Sequence, residues 1–128
     1  MQIKLTNVMV DDQAKALRFY TEILGFEKSK DISCGKDRWL TVVSPEGSPD
    51  IELLLEPMGI PAAKIFQKAL LTQGIPAATF TVDDIQAEYE KLVQRGVRFR
   101  TKPTEMGPTM IAVFEDTCGN LIQINEER

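Results

Sequence analysis

A chain of 128 residues with net charge −4, 43% apolar and 27% charged, has the make-up of one globular domain or two half-sized modules sharing a core. Its acidic balance and the lack of any Lys/Arg cluster argue against nucleic acid or an anionic membrane surface as partner. There is no histidine, so the commonest metal ligand and general base is missing. No apolar run approaches the ~20 residues of a membrane span. The first residues run directly into a strand pattern without room for a signal peptide, and the expected address is the cytoplasm. Cys34 and Cys118 are too far apart for a Cys-x-x-Cys motif and are read as isolated reduced thiols.

Ile3 to Val10 alternates as a strand, with Ile3, Leu5, Asn7 and Met9 on one face and Lys4, Thr6, Val8 and Val10 on the other. Asp11-Asp12 offer an N-cap to a helix whose stripe is Ala16, Leu17, Tyr20, Ile23 and Leu24, stopped by Gly25. Strands follow at Phe26 to Ser33, Arg38 to Ser44 and Ile51 to Glu56, completing β-α-β-β-β over 1–58. A connecting helix over 59–73 has Pro61 at its first turn and an apolar face of Ile65, Phe66, Ala69 and Leu70 to lay on the sheet. The grammar then restarts over 74–128. Val82-Asp83-Asp84 repeats Val10-Asp11-Asp12 72 residues on, and Gly96 stops a helix carrying Ile85, Tyr89 and Leu92. Strands at Ile75 to Val82, Arg98 to Lys102, Met110 to Glu115 and Leu121 to Asn125 complete the second β-α-β-β-β. The stretch Phe114 to Asn125, strand-turn-strand, echoes Val42 to Leu53 and sets Gln123 against Glu52. The expected fold is α+β, one domain over 1–128, in which two tandem βαβββ modules curl their mixed sheets into a cup.

Val10-Asp11-Asp12, Phe19-Tyr20, Leu24-Gly25-Phe26, Val82-Asp83-Asp84 and Asp116-x-x-Gly119-Asn120 together resemble the vicinal oxygen chelate superfamily. That group holds glyoxalase I, bleomycin-resistance proteins, fosfomycin-resistance enzymes and extradiol dioxygenases. The resemblance implies metal ligands from the first and last strands of each module, and the matching positions here are Leu5, Glu52, Ala77 and Gln123. Leu5 and Ala77 cannot ligate, Gln123 is a weak neutral donor, and a divalent ion needs three or four protein donors. No metal and no other cofactor is therefore expected. The resemblance also implies a small-molecule ligand and a homodimer.

Glu52 shares a face with Asp50, Leu54 and Glu56 and is read as a polar anchor or general base in the cup, or else as a carboxylate on a solvated sheet face or one paired with a structural Arg. If Leu5, Met9, Leu54 and Ala77 surround it, desolvation raises its pKa unless a cation such as Arg38 approaches. Asn7, Met9, Thr79 and Thr81 share faces with Leu5 and Ala77 and should line the cup, although Thr suits strands for packing alone. Trp39 and Arg38 are read either as a ring that stacks on a planar ligand beside a cation that neutralises a carboxylate, or as a packed aromatic beside a surface charge. Phe19-Tyr20 reads as core, and Asp116 and Asn120 as turn residues. Cys118 is open to oxidation if that turn exposes it. Three functions fit: a metal-free small-molecule binder of the bleomycin-resistance kind, a lyase or isomerase resembling glyoxalase I with an atypical metal site, and a non-catalytic interaction module.

Overall fold

Each aspartate pair starts a helix. In the computed structural model, which describes residues 1–127, Asp12 Oδ1 accepts from the Lys15 amide at 2.9 Å and Asp84 Oδ1 from the Ala87 amide at 3.0 Å. These are N-caps that satisfy amides with no partner inside the helix. Gly25 and Gly96 end the two helical segments at the same positive φ, 87°, which a side chain disfavours. The chain divides into two compact units, Met1–Lys64 and Ile65 onward, with the division inside the connecting helix.

The first unit runs β1 (Leu5–Val10), α1 (Gln13–Arg18), β2 (Glu27–Cys34), β3 (Asp37–Val43) and β4 (Glu52–Pro57). Its sheet has the order β1-β4-β3-β2, with β1 parallel to β4 and the other pairs antiparallel. After α1 the helix widens into a π turn, Phe19–Ile23, rather than continuing as α to Leu24. One face of this sheet carries Val8, Val10, Leu40, Val42, Leu53 and Leu55, all buried, and α1 packs on β3 and β4. Tyr20 is fully buried, edge-on to Phe19 and stacked on Phe26, as its place on the apolar stripe implies.

The second unit repeats the plan as β5 (Ala78–Thr81), α3 (Ile85–Gln94), β6 (Phe99–Met106), β7 (Thr109–Glu115) and β8 (Leu121–Glu127), in the order β5-β8-β7-β6. The buried face holds Ala112, Phe114, Ile122 and Ile124, against Ile85 and Leu92 of α3. β6 continues past Pro103, where the sequence suggests a stop at Lys102. It is an edge strand with irregular register between Thr101 and Thr104, and both conditions relieve the ladder of the missing proline amide. The expected fold class, α+β with two tandem βαβββ modules, is the one observed.

The connecting helix α2 (Pro61–Gln73) turns a different face inward from the one its apolar residues suggest. Ile65 and Phe66 are 70% and 55% exposed, whereas Gln67 is buried. The Gln67 amide donates to the Cys118 carbonyl and to Asn120 Oδ1, each at 3.1 Å. Asn120 in turn donates to Asp116 Oδ2 at 2.8 Å, while Asp116 Oδ1 accepts the amides of Cys118 and Asn120. A closed polar network of this kind satisfies every member, so it can outcompete an apolar stripe for the buried position. It also buries Cys118, which corrects the expectation of an oxidisable thiol; Cys34 is the exposed one, and both are free. Gly119, φ 97°, lets the turn approach Gln67: a Cβ there would lie 2.5 Å from Gln67 Oε1. Among the described residues no helix is long and apolar enough to cross a membrane.

Candidate functional site

Because side chains alternate along a strand, the face of the first sheet away from its buried core carries Leu5, Asn7, Met9, Trp39, Thr41, Glu52, Leu54 and Glu56. Glu52 lies beside Leu5 across the parallel β1–β4 ladder. Its carboxylate is not solitary. Oε1 accepts from the Thr41 hydroxyl at 2.6 Å and Oε2 from the Lys30 ammonium at 3.0 Å. The Thr41 hydrogen bond, followed by that from Lys30, holds the Glu52 carboxyl below its ordinary pKa, against a smaller opposing effect of desolvation. The expected upward shift is thus reversed.

The cation that reaches Glu52 is Lys30, not Arg38. Arg38 sits on the opposite face, where its guanidinium donates to both Asp31 oxygens at 2.9 and 2.7 Å. That bidentate pair lowers the Asp31 pKa and raises that of Arg38. Its neighbour Trp39 does lie on the open face, opposite Ile32 and 38% exposed. Asn7 is exposed and its amide donates to the Glu56 carboxylate; Met9 is half-buried and opposite Glu56 in register.

In the second sheet Thr79, Thr81 and Gln123 also share the face away from the core. Gln123 donates to Thr79 at 3.4 Å, and Thr81 donates to Asn125 Oδ1 at 2.9 Å. Gln123 does not occupy the point that Glu52 occupies in the first sheet. Both edge ladders slip at the same place, Lys28/Lys30 opposite Val42 and Phe99/Thr101 opposite Phe114. Counting from those slips, Leu53 corresponds to Ile122, so Glu52 corresponds to Leu121 and Gln123 to Leu54. The two-residue difference keeps each side chain on the same face but changes its neighbours.

Lys30 and Thr41 escape the sequence reading. Thr41 looks like an ordinary strand residue, and simple alternation from Lys28 places Lys30 on the core side. An acidic residue facing two strands of β-formers is the sole sequence signal for a buried hydroxyl partner.

The donor set does not suit a divalent metal. Leu5 and Ala77 bring no ligand atoms, the Glu52 carboxylate already neutralises an ammonium, and among the described residues no three His, Cys, Asp or Glu side chains form a group that could hold a metal ion.

The family model described as the Glyoxalase/Bleomycin resistance protein/Dioxygenase superfamily matches residues 2–124. The protein YurT of Bacillus subtilis (strain 168) is 56% identical over 124 residues, covering 97% of this chain and 98% of its own. Among solved structures, UcmS2 superposes with a TM-score of 0.83 at 34% identity, covering 98% of this chain and 97% of that one. TnmS3, an antibiotic binding protein from Streptomyces sp. CB03234, does so with a TM-score of 0.79 at 30% identity over 100% of this chain and 97% of that one.

Proposed function

The chain belongs to the glyoxalase/bleomycin resistance protein/dioxygenase superfamily, and from that premise we propose that it binds a small, largely apolar molecule without a metal and without transforming it. The observation that carries this reading is the open face of the first sheet. Trp39, Ile32 and Leu5 offer apolar surface there, and a few hydrogen-bonding groups at Lys30, Glu52 and Asn7 can orient a bound molecule. Thr79, Thr81 and Gln123 are the corresponding polar candidates on the second sheet. TnmS3, similar over its whole length, is an antibiotic binding protein, which supports a binding role over a catalytic one. Glu52, the best candidate for a general base, is a carboxylate stabilised in its charged form, so it has little tendency to take a proton near neutrality. The reading includes a homodimer and a cytoplasmic setting, which the free, exposed Cys34 suits.

Trp39 is the only tryptophan, so its emission reports on that face alone. Titration with a panel of aromatic antibiotics is expected to give a saturable change for at least one member, with the compound recovered unchanged afterwards. Trp39→Phe should remove the signal and weaken binding measured by dialysis. Conversion of the bound compound to a product would replace this reading with the lyase one, and no saturable binding across the panel would remove it.

A further inference from the structure

We propose that Lys30 selects the ligand: its ammonium, brought to the open face of the first sheet by a β-bulge, pairs with an anionic oxygen on an otherwise apolar aromatic molecule. The proposal rests on the small-molecule reading of that face. Lys28 lies opposite core residue Val42, and an unbroken strand would place Lys30 on the same side. The register slip at Ser29 inserts one residue, so Lys30 falls opposite Thr41 and Ile32 opposite Trp39. Bulges re-aim a side chain in this way at the cost of a ladder hydrogen bond.

Once re-aimed, the ammonium is held from beneath. Thr41 is fully buried and donates to one oxygen of Glu52, whose other oxygen takes Lys30. The Glu52 side chain is 18% exposed and that of Lys30 52%, so the carboxylate is the inner member and the ammonium the outer one. An ammonium has three donors, and Glu52 uses one. The second module has the same bulge and builds the same sheet with Thr101, Val113 and Leu121 at the corresponding positions. The sheet therefore forms without this ion pair and its hydroxyl partner, and their presence in one module points to binding.

The apolar pair next along the ladder, Ile32 and Trp39, argues for an aromatic body beside the charge. Alternation places three other carboxylates on this face: Glu56, which accepts from Asn7 and lies four residues along β4 from Glu52; Asp37, four residues along β3 from Thr41; and Glu27, opposite Val43, two ladder positions from Lys30. At ~3.3 Å per residue Glu56 and Asp37 lie ~13 Å off, beyond the ~8 Å screening length of physiological salt, whereas Glu27 at ~7 Å offsets part of the attraction the lysine offers an anion.

Two dyes of one framework test the proposal: 8-anilino-1-naphthalenesulfonate, which is anionic, and uncharged N-phenyl-1-naphthylamine. Both are titrated by their own fluorescence into the full chain. The sulfonate should bind about tenfold more tightly, a preference that shrinks with added salt. Lys30→Met should abolish the preference by weakening only the sulfonate, and Lys30→Arg should retain it; Lys30→Gln replaces the methionine variant if that one fails to fold. Affinity for the uncharged dye is the control for an intact face. If both dyes bind and their ratio does not depend on residue 30, the lysine proposal falls while the binding face stands. If neither dye binds saturably, both fall.

Discussion

The apolar side chains of Leu5, Leu54 and Met9 argue for a Glu52 carboxyl that resists ionisation, yet side-chain hydrogen bonds, foremost those from Thr41 and Lys30, reverse the direction. The folded pKa lies below the unfolded value of 4.5, so the charged form is stabilised by folding. Its contribution is complete above that unfolded value and is lost as pH falls through the lower folded one. Glu52→Gln is therefore expected to lower the thermal midpoint at pH 7, and the gap from the parent should close as the pH is taken well below 4.5. Equal midpoints at pH 7 would mean that the Thr41 and Lys30 bonds do not hold in solution. Asp31, paired with Arg38, and Asp12, capping α1, shift the same way, so the parent chain too should lose stability on acidification.

At the scale of elements, α2 is attached through a polar rather than an apolar residue. Gln67→Leu keeps the side chain's bulk but leaves the Cys118 carbonyl and Asn120 without that donor, at a cost of about 1–3 kcal/mol. Urea denaturation should show the loss as a lower midpoint, and hydrogen exchange should place the added opening in α2 and the turn at 116–120. A midpoint equal to the parent's would show that the network is dispensable. The helix caps behave differently, because their partners lie three residues away. Asp12 and Asp84 are legible as caps from sequence for that reason, and the glycines that end the helices likewise need only local geometry.

For the whole molecule, the exposed Ile65 and Phe66 on α2 add an apolar stripe that an isolated chain leaves in water. Twofold self-association is a common way to cover such surface. The expected species at tens of micromolar is a dimer of the 14.4 kDa chain, measured by sedimentation, and Phe66→Glu should shift it toward monomer. A parent chain that sediments as a monomer at that concentration would overturn the homodimer.

Local signals in the sequence determined the two βαβββ modules, their helix starts and stops, and the face on which Glu52, Asn7, Thr79 and Gln123 lie. Each follows from residues within a few positions of one another, or from the two-residue period of a strand. Only the tertiary structure decided which residues become neighbours. The Glu52–Gln123 match fails by two positions because ladder pairing between distant strands sets the register, and the turns at 44–51 and 116–120 differ in length. Lys30 reaches Glu52 because the edge strand takes in one extra residue at Ser29, a slip that alternation in the sequence does not mark. Gln67 is buried because a network of side chains gathered from α2 and the late turn satisfies it. In each case the deciding energy lies in hydrogen bonds between residues far apart in the chain, and apolar periodicity carries no record of those partners.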